Sequence, residues 1–446
     1  MKSIICAAVA LWLAGCATFS EDGGFGAVQR EAGERTGKDL RWARTEAERG
    51  AIRKRVDELL AQPLGVEEAV QLALLNNPGL QATYAELGIA EADLVQAGRG
   101  PNLRIHALRT KVGDDVAKVE EGFSFDLLGV LLMPMRRKME ARRFERVQAG
   151  ISAEVVRVAA ETRRAWVQAV AAAEAERYFA QVKEAADTGA ELARRMAAGG
   201  NWPKLQQMRE QALLADAVAQ QARARQQGIA ARERLARLAG LSAEQADFRL
   251  PERLPELPAA LAEEADLDAR AMARRLDVQA AKRETEWVAE SVGLANATRF
   301  VDALELGRAR TKEAGGRFAY GYTVGIEVPV FDWGGARVAR AEATYLQAVQ
   351  RLAEVAVNAR SEVRESRAIQ RSAYELARHY RDEVVPLRKR ISEEVLLRYN
   401  GMLTGVFELL ADAREQVSAV SGYLDALRDF WLADADLQER VNGGHR

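Results

Sequence analysis

Two long alanine-rich stretches, Pro134 to Ala198 and Asp332 to Arg398, restrict what this chain can become more than any other feature. In the first, Ile151, Val155, Val158, Thr162, Ala165, Ala169 and Ala172 step alternately by four and three. That spacing keeps one seam turned toward a partner helix. A single shorter step to Ala175 overwinds the pattern locally, after which Phe179, Val182, Ala186, Gly189, Ala193 and Met196 resume it. At helical rise each stretch would run about 95 to 100 Å, far beyond an ordinary globular helix, so the seam predicts the wall of a helical barrel or bundle.

The chain opens with an export signal over residues 1–16. Met1 and Lys2 precede a short apolar run from Ile4 to Leu13, and Leu13-Ala14-Gly15-Cys16 follows. The run is too short to span a bilayer, and the small residues before Cys16 match a bacterial lipoprotein signal, which predicts lipidation at Cys16. Cys6 lies inside the signal, so a mature chain would carry one cysteine at its first residue, with no disulfide and no thiolate metal site. Residues 17–64 are polar and then charged, and read as an extended tether with one helix near Glu46 to Leu60.

Basic and acidic residues balance, 64 against 65, which offers no electrostatic footprint for nucleic acid. After residue 16 no apolar run reaches the roughly 18 residues of a transmembrane helix, so any membrane role falls to strands.

The chain also repeats itself. Leu80-Gln81-Ala82 and Ala90-Glu91 return as Val278-Gln279-Ala280 and Ala289-Glu290 at an offset of about 198 residues. Arg209-Glu210-Gln211 returns as Arg414-Glu415-Gln416. The expected organisation is a first repeat over 65–240, a Pro-containing linker over 241–266, a second repeat over 267–440 and a tail over 441–446. Each repeat is expected to run helix, two strands, long helix, turn, helix. In copy one, Val66 to Gly98 plus Pro203 to Ala239 sum to about 70 helical residues, close to the roughly 65 of the long helix. Two short helices stacked end to end therefore match one long one. The turns fall at Gly199-Gly200-Asn201 and at Asn400-Gly401-Met402, and Pro386 is expected to kink the second long helix.

The strands carry the membrane signal. Phe318, Tyr320, Tyr322, Val324, Ile326 and Val328 alternate with Ala319, Gly321, Thr323, Gly325 and Glu327. One apolar and one small or polar face over about eleven residues is what a lipid-facing, lumen-lining barrel strand requires. Leu103, Ile105 and Ala107, then Phe123, Phe125 and Leu127, give copy one its pair, and Phe300 to Arg308 completes copy two on the strength of the repeat. Four strands cannot close a barrel, and open edges in lipid leave backbone groups unpaired, so more than one copy must share it.

Several motifs point to one family. Residues Leu72 to Pro78, ending in Leu75-Asn76-Asn77-Pro78, lead to Ala90-Glu91-Ala92-Asp93-Leu94. Val328-Pro329-Val330-Phe331-Asp332-Trp333-Gly334 marks a strand-to-helix passage, and Arg398-Tyr399-Asn400-Gly401 a helical tip. Over roughly residues 60 to 440 the chain resembles the TolC-like outer-membrane efflux proteins. The resemblance implies a mainly helical fold, a long coiled-coil α-barrel continuous with a 12-stranded β-barrel shared by a homotrimer. It implies docking to a periplasmic adaptor protein and an inner-membrane efflux pump through the hairpin tips, Gly200, Asn201, Trp202, Asn400, Gly401 and Met402. Outer-membrane lipid would surround the strands. Ala17 stands after Cys16 in place of the Asp that retains lipoproteins in the inner membrane, which by family analogy favours the outer membrane. In the family's tip motif acidic residues ring the periplasmic entrance. Glu408 falls on the first acid, whereas the second position is Ala411, with Asp412 beside it.

No chemistry of catalysis stands out. His106, His379 and His445 are solitary, and no phosphate-cradling loop, nucleophile elbow or triad-like grouping is present, so neither enzyme nor cofactor is expected. Arg136, Arg137, Lys138, Arg142, Arg143 and Arg146 suit either lipid headgroups or a solvated helix face. The function expected is a passive conduit from periplasm to exterior for exported drugs or metal ions. A protein-secretion conduit and a lipid-anchored structural coiled coil of the periplasm stay open beside it.

Overall fold

The computed structural model describes residues 18–261, 266–301, 303–327 and 330–443. The export signal, Cys16, Val328 and His445 lie outside the described residues. The chain divides into two compact units. One comprises 1–28, 83–151 and 276–357, the other 29–82, 152–275 and 358–446.

Helices α1 (Phe25–Thr36) and α2 (Glu46–Leu60) precede α3 (Val66–Asn76) and α4 (Pro78–Ala97). The tether expected over 17–64 is therefore largely folded. Val28 and Ala32, one helical turn apart in α1, and Val56 of α2 are buried, as are Leu40 and Leu64 in the segments after each helix. Helix α2 starts in a capping box in which Thr45 accepts from Glu48 N–H while Glu48 accepts from Thr45 N–H.

The first helix of each repeat is broken in two, which corrects the expectation of one helix there, Val66 to Gly98 in copy one. In copy one the cause is Pro78. The residue before a proline is pushed out of the helical region, and Asn77 takes φ −66°, ψ 117° while its side chain accepts from Leu80 N–H at 2.9 Å. Copy two has no proline here, yet α7 (Leu267–Arg274) and α8 (Leu276–Ala297) separate at Arg275, φ −58°, ψ 125°. The Arg275 guanidinium is 1% exposed, donates to the Ala359 carbonyl at 3.2 Å and pairs with Glu362 at 2.8 Å. A buried guanidinium paired with a partly exposed carboxylate stands in one copy where a proline ring stands in the other.

Strands β1 (Arg104–Val112) and β2 (Asp115–Asp126) lead into α5 (Leu127–Ala198), a helix of 72 residues. Leu127 belongs to the helix and not to the strand expected there, because Asp126 accepts from Gly129 N–H at 2.8 Å and caps the first turn. After α6 (Lys204–Leu238), α7 and α8 come β3 (Ala303–Glu313) and β4 (Ala319–Glu327). The third strand thus lies a few residues beyond the expected Phe300–Arg308. The second long stretch is α9 (Gly335–His379), a π turn (Tyr380–Val384) and α10 (Val385–Asn400), followed by α11 (Val406–Asn442). Pro386 sits in the first turn of α10, directly after the π turn. Widening the turn frees the ladder from the N–H that proline lacks and from the clash of its ring with the preceding turn.

All four strands form one antiparallel sheet in the order β1-β2-β3-β4, so the two repeats meet at the β2–β3 pairing. In the second unit the core gathers Trp166, Leu235, Tyr374, Leu427 and Phe430 with Leu72 and Leu75. Residues of the expected Pro-containing linker pack against it. Leu254 and Leu257 are buried, Tyr374 Oη donates to the Ala259 carbonyl at 2.9 Å and Trp431 Nε1 to the Pro255 carbonyl at 3.0 Å. Phe430, 1% exposed, touches the rings of both Tyr374 and Trp431. Replacing Phe430 with Ala is expected to destabilise the fold by about 3 to 5 kcal/mol, read as a fall in the urea midpoint of unfolding.

Candidate functional site

Strand register decides which side chains share a face of the sheet. Leu304, Leu306, Arg308 and Arg310 lie opposite Ile326, Val324, Tyr322 and Tyr320 in β4, and Phe125 and Phe123 lie opposite Leu306 and Arg308. Ile105 pairs with Phe123. Most apolar members of this face are exposed, with Tyr322 at 82% and Ile105 at 80%, while Leu304 and Phe125 are half-buried. The other face is small or polar, carrying Gly122, Ser124, Gly307, Ala309, Gly321, Thr323 and Gly325. At Gly307 a Cβ would stand 2.5 Å from both the Phe123 carbonyl and Thr323 Oγ1, so the small face is too crowded for side chains there.

Of the expected lipid-facing residues, Tyr320, Tyr322, Val324 and Ile326 lie in β4 on the apolar face, while Phe318 just precedes the strand. More apolar residues stand exposed where the sheet gives way to helix, namely Phe300, Val330, Phe331 and Trp333. The passage itself is built by Asp332, which accepts from Gly334 N–H at 2.9 Å. Gly334 has φ +72°, and a Cβ on it would meet the Arg299 carbonyl at 2.8 Å, so only glycine fits. Three residues of the basic opening of α5 are paired with acids, while Arg146 stands over the Trp287 ring at 5.2 Å. Lys138 meets Glu290 at 2.9 Å, Arg142 meets Glu145 at 2.9 Å and Arg143 meets Asp93 at 2.8 Å.

The seams read from the sequence meet within the second unit. Phe179, Val182, Ala186 and Gly189 of α5 line a cavity of about 950 Å³ together with Leu410 and Val417 of α11. Along α11, Asp412, Ala419, Ala426 and Ala433 are buried at heptad spacing, whereas Val406, Leu410 and Val417 are only half-buried. A tie between helices was missed by the sequence reading. Glu210, 3% exposed, accepts from Arg414 at 3.2 Å, and its other carboxylate oxygen has no hydrogen-bond partner among the described residues. Both belong to the repeated Arg-Glu-Gln triplets, which was the available signal.

At the tips, Gly200 (φ +74°) ends α5, with Asn201 N–H donating to the Met196 carbonyl at 3.0 Å. The matching residue of the second tip is Met402 (φ +58°), with Leu403 N–H on the Arg398 carbonyl at 2.8 Å. The second turn is thus one residue later than Asn400-Gly401-Met402 implies. Asn400 still belongs to α10, and Gly401 has an ordinary negative φ of −79°. Trp202 stacks on Phe407 with ring centroids 5.3 Å apart, joining the two tips.

The two candidate gate acids part company. Glu408 is exposed in the first turn of α11 and accepts from the Thr404 hydroxyl, where the helix dipole favours a carboxylate. Asp412 is buried and accepts from the Ser392 hydroxyl of α10. The structure does not bring them together on one surface: four residues apart, one faces solvent and the other the hairpin interior. Among the described residues no group of His, Cys, Asp or Glu is placed to hold a metal ion, and no helix is long and apolar enough to cross a membrane.

No protein-family model matches the chain, and no curated protein matches its sequence. Solved structures do. The outer-membrane channel OprN superposes with a TM-score of 0.72 at 21% identity, covering 91% of this chain and 94% of that one. The MtrE outer-membrane channel of Neisseria gonorrhoeae, in its open state, gives 0.70 at 20% identity, covering 85% and 89%. VceC, an outer-membrane protein of Vibrio cholerae, gives 0.70 at 17%, covering 85% and 97%. The fold is therefore that of TolC-like outer-membrane channels, mainly helical with a small antiparallel sheet.

Met402 supplies a direct check on tip geometry. Its side chain is 93% exposed, so Met402→Gly relieves the left-handed backbone with little packing to lose. The expected gain is about 0.5 to 1 kcal/mol, seen as a rise in the unfolding midpoint, and Gly200→Met should do the reverse.

Proposed function

We propose that this chain, with the fold of the outer-membrane channels as premise, is the subunit of a passive conduit in the cell outer membrane. The observation that carries the reading is the sheet. Its exposed apolar face runs between aromatic groups at both ends, Phe318, Tyr320 and Tyr322 toward the hairpin loops and Phe300, Phe331 and Trp333 toward the helices. Aromatic girdles around an apolar band are the mark of a strand wall facing lipid, with small and polar residues turned to a water-filled lumen.

Among the described residues β1 and β4 each pair on one side only. Backbone groups on such edges cannot be left unpaired in hydrocarbon, so edges of neighbouring copies must join. Three copies would give the twelve strands of a closed barrel, within the even-numbered range of outer-membrane barrels. Lipid attached at Cys16 would add an anchor to this barrel. The helical repeats would extend into the periplasm as a tunnel. The exposed tips, Gly200 and Asn201 in one hairpin and Met402 with Leu403 in the other, would dock a periplasmic adaptor by coiled-coil packing, and an inner-membrane pump would supply the energy. Drugs or metal ions exported by that pump are the cargo this reading assigns.

A periplasmic structural coiled coil has no use for an exposed apolar sheet face, and extraction separates the two. With Cys16→Ser, a channel stays in the membrane until detergent is added and runs as an SDS-resistant oligomer. Release of that variant into the soluble fraction would overturn the proposal. For the entrance, exposed Glu408 carboxylates brought together by the symmetry of a trimer would attract cations. Glu408→Gln is expected to raise ion conductance or weaken cation block in planar bilayers, and unchanged conductance and block would remove Glu408 from the gate.

A further inference from the structure

The apolar face of the sheet is not uniform. The two rows nearer the helices contain Leu304 with Ile326, then Phe125 with Leu306 and Val324. Toward the hairpin loops the same face carries Arg308 beside Phe123 and Tyr322, then Arg310 beside Glu121 and Tyr320, then Arg109 and Lys312 on either side of Val119. Four cations thus share the loop half of this face with one carboxylate, Glu121, and all four are exposed. Arg310 spends its Nε on Glu121 at 2.7 Å.

The opposite face at the same height carries no such excess. It shows Leu108, Thr110, Ala309, Thr311, Ala319 and Gly321, and its Lys118 is neutralised by Glu120 at 2.8 Å. A sheet with this face in water would place its charges on the polar side. Here they stand on the side that carries the exposed apolar residues. Their charged heads also stand over aromatic rings: Arg310 Cζ and Lys312 Nζ lie 4.7 and 5.7 Å from the Phe318 ring centroid, and Arg308 Cζ lies 5.7 Å from that of Tyr320. Cations on a lipid-facing surface are expensive at the bilayer midplane and nearly free at its edge, where a long stem lies along apolar surface and the charged head reaches the headgroups.

We infer that this basic band binds membrane lipids whose headgroups carry phosphate and a net negative charge, in the leaflet that the hairpin loops reach. The inference rests on the lipid-facing reading of the apolar face given above. A cavity of about 580 Å³ on the sheet combines the two chemistries such a lipid needs, with Leu103, Ile105 and Phe123 beside Arg308, Arg310 and Tyr320. Guanidinium forks match phosphate oxygens in pairs. A zwitterionic headgroup brings its own cation and would leave the excess of Arg and Lys uncompensated, whereas an anionic one neutralises it.

The test uses the full-length protein in detergent, offered vesicles of phosphatidylcholine with a rising share of phosphatidylglycerol or of a bis-phosphorylated glycolipid. Co-floating protein and retained anionic lipid are both measured. Wild type should enrich the anionic lipid around itself, less so as salt is raised. Arg308→Gln with Lys312→Gln should reduce the enrichment by about tenfold, while Lys118→Gln on the opposite face should not. Arg310 is left in place because it holds Glu121. Should the double variant lose its SDS-resistant oligomer, the salt dependence of wild-type enrichment decides alone. Equal enrichment by wild type and double variant, or no salt dependence, would overturn the inference, as would displacement of the lipid by millimolar inorganic phosphate, which would point to a free-ion site. Protein that floats with every vesicle but shows no preference refutes only the headgroup assignment; protein that floats with none refutes the lipid-facing reading itself.

Discussion

A helix of 72 residues has little stability of its own; what holds it is the seam it shares with its neighbours. In this chain that seam is built from small residues. Ala165 and Ala169 of α5 are buried in the main core, and Ala419, Ala426 and Ala433 recur at every seventh position of α11 with almost no exposure. Alanine keeps helix axes close and costs no side-chain entropy, so long helices can be laid side by side with few large residues between them. Bulk is reserved for one place in the second unit, where Trp166, Tyr374 and Phe430 fill the space among helices, the folded N-terminal segment and the Pro-containing segment.

The two repeats show how different chemistry reaches one geometry. Both break the first helix at the same point, one at Asn77-Pro78 and the other at Arg275, which is buried and paired with Glu362. Both end the long helix in the same left-handed turn, one on Gly200 and the other on Met402. The second copy uses the costlier device each time: a desolvated charge that must stay paired, and a side chain in a backbone region that disfavours it. The sheet then joins the copies through β2 and β3, with β1 and β4 each paired on one side only among the described residues.

Legibility followed the range of the interactions. The alternation in Ala319–Glu327 and the four-three steps of α5 are local patterns; they located the strand and the end of the helix at Ala198, though α5 begins at Leu127 and not at the expected Pro134. Folding of the supposed tether was hidden because Val28, Ala32 and Leu40 are spread thinly through polar sequence, and their burial depends on surfaces supplied from elsewhere. The Arg275 break was hidden because Glu362, the partner of Arg275, lies 87 residues away. Among the candidate site residues, those exposed at the tips were legible from glycine and tryptophan near a turn. The roles of Glu408 and Asp412 were not, since two acids four residues apart look alike until one is seen to be capped by Thr404 and the other enclosed with Ser392.

By itself the sequence determined that this chain has long paired helices, strands with one apolar face, and two copies of one unit, because each of these is a periodicity that backbone geometry converts directly into a surface. Tertiary structure alone decided which stripe of α11 is buried, where the helices break, and that the cations of β1 and β3 share a face with apolar side chains. Those outcomes depend on register between segments far apart in the chain, where a shift of one residue turns every side chain to the other side.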